Sequence, residues 1–309
     1  MKAASEARLR FPNGPHFALL EAQHARSAGD WARAETIFRD LAIDTNDRCL
    51  AEARHRMRAV DLSAAEMLLD KVLKSHPADI AACALMGLVW RMADNAQSSE
   101  QARWLHEQAG LVQMRPLIAR DGLLEEVRVV LDQLHSVSAM PLGQSLRGGS
   151  QTRGVLFHRT GPLLAELHEA IGATLATYRT QLLAPDAAHH LLSHRSKGWT
   201  LAGSWSVKLS AGGDFHTARI HPSGIVSSAL YVTLPDETDG VEDPGWLELG
   251  RPPTDLALNL EPLKVLRPQK GRLALFPLTL YHGTTPLAPT AGQTDIRLTV
   301  AFDIVPREN

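Results

Sequence analysis

Cysteine is scarce in this chain: Cys49 and Cys83 are the only two in 309 residues. Both fall in helical-looking stretches without metal-ligand spacing. That argues against a thiolate metal cluster; two buried structural thiols are the expectation, with a disulfide or a reactive thiol as the alternative. Net charge is also small, -2 with histidine neutral, so no broad cationic surface favours nucleic acid or an anionic membrane. No apolar run approaches the roughly 20 residues of a membrane span. The segment Met1 to Pro12 is polar and basic rather than built around the apolar core of a secretory leader. We expect a cytoplasmic protein. What is present is ordinary for a globular chain: 44% hydrophobic and 21% charged residues, in a length that suits two domains with their own cores.

Residues from about 15 to 115 read as helices only. Leu19 to Trp31 carries one amphipathic pattern, Gly29-Asp30 makes a turn, and Ala34, Ile37, Phe38 and Leu41 follow at helical spacing. A similar unit runs from Ala51 through Leu62-Ser63 to His76-Pro77, with Ala65 and Leu69 in the places of Ala34 and Phe38. A third begins at Ile80 and continues through Ala102, Leu105 and Ala109. Paired helices, small residues at their crossings and a closing proline resemble tetratricopeptide repeats. The spacing is shorter than the usual ~34 residues, and the consensus aromatic positions are mostly filled otherwise. A plain helical bundle is the alternative. Either way the region reads as a docking or packing module, since solenoid grooves take peptides or partner proteins.

Pro116 to Met140 and Pro162 to Leu183 each carry one more amphipathic helix. Between them Pro141-Leu142-Gly143 breaks the pattern, and the polar stretch Gln144 to Thr152 contains Gly148-Gly149. That pair lacks the lysine and the preceding apolar strand of a phosphate loop. From Gly198 the period changes to two. Trp205, Val207 and Leu209 alternate with Ser204, Ser206 and Lys208, which predicts a half-buried strand. Further strands are expected over Val226–Leu234, Trp246–Leu249, Leu263–Leu266, Arg272–Phe276 and Arg297–Val305. Helices followed by short strands predict two domains, the second a sandwich or jelly roll.

The chemistry gathers in the strand region. On the last strand Leu298, Val300, Phe302 and Ile304 point one way, leaving Arg297, Thr299, Ala301 and Asp303 on the other face. An arginine two residues from a threonine offers a guanidinium fork beside a hydroxyl, which suits a carboxylate. An internal ion pair or a helix end is the competing partner for that arginine. His221 precedes a Pro-Ser-Gly turn, and His282 leaves the apolar run Phe276–Tyr281 beside Gly283. Imidazoles so placed suit iron, zinc, copper or nickel.

The region from Leu142 to Pro306 resembles the 2-oxoglutarate–iron(II) oxygenases that follow tetratricopeptide repeats in bacterial proteins. The features that carry the likeness are Gln144 to Thr152, Gly203 to Leu209, Phe215-His216, His221-Pro222-Ser223-Gly224, Ser227 to Val232, Phe276-Pro277 with His282-Gly283-Thr284, and Arg297 to Asp303. The resemblance implies a double-stranded β-helix that binds Fe(II) and 2-oxoglutarate. It also implies that O2 is consumed, the oxoacid leaves as succinate and CO2, and a C–H bond is hydroxylated or otherwise oxidised. By position it makes His221 and His282 metal ligands, makes Arg297 with Thr299 the clamp on the cosubstrate's distal carboxylate, and puts Tyr231 beside that cosubstrate.

One residue departs from the pattern. Where such relatives have His-x-His-Pro, this chain has Arg219-Ile220-His221-Pro222, and a protonated guanidinium offers no lone pair to a metal. Three outcomes stay open. His216 rotates in as third ligand, although its odd offset from His221 places the two on opposite faces unless a bulge or bend intervenes. Alternatively, two histidines with water or an anion hold the metal. In the last, the site is metal-free and Arg219 reaches for an anionic ligand. Asp214 is a further candidate donor. The expectation is an α+β multidomain chain. Residues 1–118 form tetratricopeptide-like helices that dock a peptide or protein, and residues 119–309 form a jelly-roll oxygenase domain with flanking helices. No catalytic residue is expected beyond the metal site, and no nucleic-acid or membrane partner.

Overall fold

The computed structural model describes residues 2–11, 14–140, 145–210, 212–235, 244–287 and 296–307. Pro141 to Gln144, at the head of one of the motifs above, lie outside the described residues, as do Pro12 and Met1. The chain divides into two compact units, Met1–Ala102 with Pro252–Asn259, and Arg103–Arg251 with Leu260–Asn309.

The first unit is helical: α1 (Lys2–Arg10), α2 (Pro15–Ser27), α3 (Trp31–Asp40), α4 (Asn46–Arg58), α5 (Leu62–Ser75), α6 (Ile80–Met92) and α7 (Ala96–Ala102). Helix starts are set by short polar side chains that accept an otherwise unpaired backbone N–H. Asp30 accepts from Arg33, Thr45 from Arg48, Asp61 from Ala64 and Asp79 from Ala82. Helices α2, α4 and α6 begin at 15, 46 and 80, offsets of 31 and 34 residues. Their crossings bury small side chains, Ala22, Ala25, Ala34, Ala53 and Ala65, which lets the backbones approach around Phe38, Met57 and Leu69. The distant segment Pro252–Asn259 belongs to this unit because Asp255 accepts hydrogen bonds from Arg26 (2.9 Å) and Arg54 (3.0 Å).

The second unit holds β1 (Gln113–Pro116), α8 (Leu123–Ser136), β2 (Leu146–Arg147), β3 (Ser150–Gln151), α9 (Pro162–Thr180), β4 (Trp199–Ser210), β5 (Phe215–His216) and β6 (Val226–Thr233). It continues with β7 (Leu247–Leu249), β8 (Lys264–Leu266), β9 (Arg272–Pro277), β10 (His282–Thr284) and β11 (Ile296–Pro306). The main sheet has the order β1-β9-β6-β11-β4-β3, all antiparallel; β10-β7-β8 and β2-β5 form two smaller sheets. Helices α8 and α9 cover one face of the main sheet. Leu131, Leu167 and Ile171 meet Leu230 and Val232 of β6, Leu273 of β9, and Val300 and Phe302 of β11, all buried. Full burial of such a side chain is worth about 1.5–3 kcal/mol, so this layer fixes the sheet's register. The opposite face carries Tyr231, Ala274 and Phe276, on which Leu247 and Leu249 of β7 pack.

The alternation expected for the last strand is present: Leu298, Val300, Phe302 and Ile304 lie in the helix-covered core, and Arg297, Thr299 and Ala301 line a cavity on the other side. Two expectations change. The helical part was expected to run to residue 118, but the second unit starts at Arg103, because Gln113–Pro116 pairs with Leu275–Arg272 as the edge of the main sheet. Trp205, Val207 and Leu209 were expected to alternate with solvent-facing Ser204 and Ser206. Both serines are buried, Ser206 fully, bonded to His135 of α8 (3.0 Å) and to the Thr299 carbonyl (2.9 Å), while Thr200, Ala202 and Ser210 of the same strand stay exposed. Among the described residues no helix is long and apolar enough to cross a membrane.

The Asp255 anchor has a pH signature. Burial by itself raises that carboxyl, but Arg54 and Arg26 outweigh it and hold it below the ordinary carboxylate value. A depressed folded pKa adds stability above about pH 4 and loses it as pH falls through the folded value. Asp255→Asn should therefore lower the melting temperature at pH 7, and the gap from the native protein should narrow as pH falls through the lowered carboxyl value. A gap independent of pH in thermal unfolding would refute the anchor.

Candidate functional site

The site is assembled by one short antiparallel contact. The Arg219 N–H donates to the His282 carbonyl (3.0 Å), and the His282 N–H donates back to the Arg219 carbonyl (2.9 Å). Residues so paired put their side chains on the same face. His221, two residues on, returns to that face. The approach is close because residue 283 is glycine: a Cβ there would stand 2.9 Å from the Ala218 nitrogen and 2.9 Å from the His216 carbonyl.

Both imidazoles are locked in the same tautomer. His221 Nδ1 lies 2.8 and 2.7 Å from the two Asp303 carboxylate oxygens, and His282 Nδ1 lies 3.2 Å from the Leu280 carbonyl. Carboxylate and carbonyl oxygens only accept, so each ring carries its hydrogen on Nδ1 and offers a lone pair at Nε2. The rings stand edge to face, 4.9 Å apart at 89°. Among the described residues His282 Nε2 is buried without a hydrogen-bond partner. His221 Nε2 is already used: Arg219 Nε donates to it at 3.3 Å. Trp205 stands edge-on to His221, and Phe276 tilts against His282. Burial, reinforced by the Arg219 charge, pulls the pKa of His282 well below the ordinary histidine value. That ring is neutral at physiological pH.

His216 sits on β5, held by Leu146 across the β2 pairing and by its own N–H donating to Thr284 Oγ1 at 3.0 Å. A bend at Ala218 intervenes between His216 and His221, so both line the same cavity despite the odd offset. Its Nδ1 lies 3.3 Å from Ser145 Oγ. Burial, then the charges of Arg219 and Arg297, pulls its pKa well below the ordinary value too. Among the described residues, no three histidine, cysteine, aspartate or glutamate side chains stand close enough to share a metal, so His216 does not complete the His221–His282 pair here. Asp214 is committed to a turn. Its carboxylate accepts from the Ser210 N–H at 2.8 Å and presses on Gly148, whose missing Cβ would stand 1.8 Å from it.

Arg297 is buried on β11. It donates to the Gly245 carbonyl and lies over the Tyr231 ring at 5.2 Å. Among the described residues its Nε has no partner, and the Tyr231 hydroxyl beside it is also buried and unpartnered. Thr299 donates a long bond to the Val207 carbonyl, 3.4 Å. Among the described residues neither Arg219 nor Arg297 makes an ion pair. Burial pulls the Arg219 guanidinium down to about 10, against the pull of Asp303 and with that of Arg297; it stays charged at neutral pH. The inner cavity is about 30 Å³, bounded by His216, Arg219, His221, His282, Arg297 and Thr299 among others. It adjoins a cleft of about 510 Å³ lined by Ser145, Gln151, Ser223 and Asp303, with Trp205, Arg219 and His221 common to both.

Residues 203–303 match the model of the family described as "Putative 2OG-Fe(II) oxygenase". That is a third of the chain, and it includes His216, His221, Tyr231, His282, Arg297, Thr299 and Asp303. The match assigns Fe(II) and 2-oxoglutarate to this segment as cofactor and cosubstrate. Similar solved structures include a Pseudomonas putida prolyl-4-hydroxylase, 15% identical over 67% of this chain and 97% of that one, with a TM-score of 0.40. A Trichoplax adhaerens prolyl hydroxylase in complex with a hypoxia inducible factor oxygen degradation domain peptide fragment is 14% identical over 64% and 84%, TM-score 0.42. HygX from Streptomyces hygroscopicus with nickel and 2-oxoglutarate bound is 14% identical over 69% and 87%, TM-score 0.40. No curated protein matches the chain.

The side chains fit these groups unequally. The buried, unpartnered Nε of Arg297 and hydroxyl of Tyr231 fit a carboxylate. The two Nε2 lone pairs fit two positions of a metal, and the guanidinium of Arg219 stands against one of them. Asp303 is the residue that sequence reasoning passed over. Its signal was there, since it shares the cavity face of the last strand with Arg297 and Thr299, but its partner His221 lies 82 positions away. Gly283→Ala tests the assembly: the Cβ must part the two segments, at a cost of about 1–3 kcal/mol, and lower the melting temperature. An unchanged melting temperature would show that the contact is looser than described.

Proposed function

We propose that the β unit is a 2-oxoglutarate- and Fe(II)-dependent dioxygenase centre, acting as a hydroxylase on a peptide or protein. The observation that carries this reading is the pair of imidazoles locked to offer Nε2 into one cavity with the buried arginine, Arg297. His221 and His282 are the residues that would hold the metal. When bound, the iron and 2-oxoglutarate together activate O2 and leave succinate and CO2. The chain's own groups do the positioning. Asp303 and the Leu280 carbonyl keep both rings in the accepting tautomer, as hydrogen-bonded outer partners of metal-ligating histidines do. Arg297 takes the distal carboxylate with bidentate, charge-assisted bonds, flanked by Tyr231 and Thr299. The narrow cavity keeps bulk water from the reacting groups. His216 is the residue within the same cavity from which a third donor would come.

The two antiparallel sheets facing across the cavity are read as a double-stranded β-helix, and the α2–α7 helices, with their offsets of 31 and 34 residues, as tetratricopeptide-like repeats that present the substrate chain. A cytoplasmic location goes with both. A second reading rests on one contact, the Arg219 Nε–H on His221 Nε2. Under it the barrel binds a ligand without turnover and the chain acts as a scaffold.

Anaerobic titration with Fe(II) in the presence of 2-oxoglutarate separates the two. The first reading predicts binding of one equivalent and succinate formation on admitting O2. His282→Ala should lose metal by at least 100-fold. Arg297→Ala should keep the metal and weaken 2-oxoglutarate by tenfold or more, in line with about 1.5–3 kcal/mol for a hydrogen bond to a charged group. Arg219→His should tighten the metal. Failure of the native protein to bind Fe(II) at all would leave only the second reading.

A further inference from the structure

We infer that Arg219 and Arg297 together form a site for one carboxylate that needs no metal, with the rest of the ligand lying in the outer cleft. The inference deepens the second reading above by naming its ligand.

The first support is a charge count. The inner cavity is lined by the guanidinium ions of Arg219 and Arg297 and by three imidazoles, and the carboxylate of Asp303, on the adjoining cleft, stands against His221. Both Asp303 oxygens are turned to His221 Nδ1. His221 Nε2 in turn accepts from Arg219. The guanidinium and carboxylate charges sum to two positive and one negative, a net of +1, with Arg297 and Asp303 buried and Arg219 partly exposed at the outer cleft. Buried charge of one sign is costly unless something of the opposite sign meets it. One monoanionic headgroup brings the cluster to neutrality, whereas a divalent metal alone would raise it to +3.

The second support is unused donors. A guanidinium carries about five N–H groups. Among the described residues each of these two spends one on a protein acceptor, Arg219 on His221 and Arg297 on Gly245. Arg297 Nε and the Tyr231 hydroxyl are buried and unpartnered, in side chains that are 4% and 0% exposed. Acceptor oxygens are what these groups lack.

The third support is size and access. The inner cavity of about 30 Å³ exceeds the ~10–15 Å³ that one water needs on the same measure and is too small for a whole metabolite. The outer cleft of about 510 Å³ meets it at Arg219, His221 and Trp205. A ligand with a terminal carboxylate can seat that group between the arginines and leave its body against Ser145, Gln151 and Ser223.

Metal independence has a distinguishing consequence. A 2-oxo group matters only where a metal chelates it, so in excess EDTA the site should not tell 2-oxoglutarate from succinate. Calorimetric titration of the full chain with each acid in EDTA should give affinities within about threefold of each other. Arg219→Gln should weaken both at least tenfold, and Arg219→Lys, which keeps the charge and loses the fork, should fall between. Thermal melts of each variant with and without 10 mM succinate give a second readout that does not depend on calorimetric heat. The proposal is overturned if neither acid binds in EDTA, or if Arg219→Gln binds as well as the native protein. Binding in EDTA that Fe(II) leaves unchanged would sink the oxygenase reading and keep this one. Binding that appears only with Fe(II) would do the reverse.

Discussion

The reciprocal backbone bonds between Arg219 and His282 are the constraint from which the centre follows. They join the segment after β5 to the start of β10 at a single point and thereby decide which side chains share a face. With Gly283 removing the steric obstacle and Thr284 catching the His216 N–H, three histidines and two arginines from separate parts of the chain border one small volume. The main sheet supplies the wall. Its helix-covered face is apolar and fixes the register of β11 between β4 and β6, so Arg297, Thr299 and Asp303 are carried to the cavity side as a consequence of packing elsewhere. Arg297 can be buried without a carboxylate partner because Phe302, Val300 and Leu298 on the same strand leave it no other place to go.

What could be read from the residues was whatever has a short period or a local cause. The alternation of Leu298, Val300, Phe302 and Ile304 against Arg297 and Thr299 is a statement about every second residue, and the sheet obeys it. Helix starts at Asp30, Asp61 and Asp79 are likewise local, each depending on a carboxylate and an amide three residues on. Long-range partners were not readable. Nothing near His221 names Asp303, and nothing near Gln113 announces that it would pair with Leu275 at the sheet's edge. Ser206 looked solvent-facing by alternation and is buried because α8 lays His135, 71 positions earlier, on it. The bend at Ala218 is the most instructive case. The odd offset between His216 and His221 argues for opposite faces on a straight strand, and one break in the strand reverses that.

The distinction between an iron site and an anion site comes down to one lone pair. Both imidazoles are prepared for a Lewis acid: each has its hydrogen drawn to the far nitrogen by an oxygen, so the near nitrogen can only accept. His282 Nε2 meets nothing. His221 Nε2 meets Arg219, which supplies a hydrogen and a positive charge where a metal would supply a positive charge alone. The two occupants compete for the same electrons and repel each other, so tight metal binding requires the guanidinium to leave. It has somewhere to go, because the outer cleft begins at Arg219 and carries polar side chains. It also has a reason to stay, because Asp303 behind His221 draws it back.

An anion changes that balance. A carboxylate seated between Arg219 and Arg297 lowers the net charge of the cluster to zero, and with it the repulsion that a divalent cation would meet on entering. Metal and anion are then cooperative where metal and bare guanidinium are antagonistic. The electrostatic part of that coupling is favourable where the anion draws the guanidinium off His221 Nε2, and by linkage it holds in both directions: whatever the anion does to the metal's affinity, the metal does to the anion's. The substitution at position 219 therefore need not remove the chemistry that His221, His282 and Arg297 are arranged for. It makes that chemistry conditional on which carboxylate arrives first.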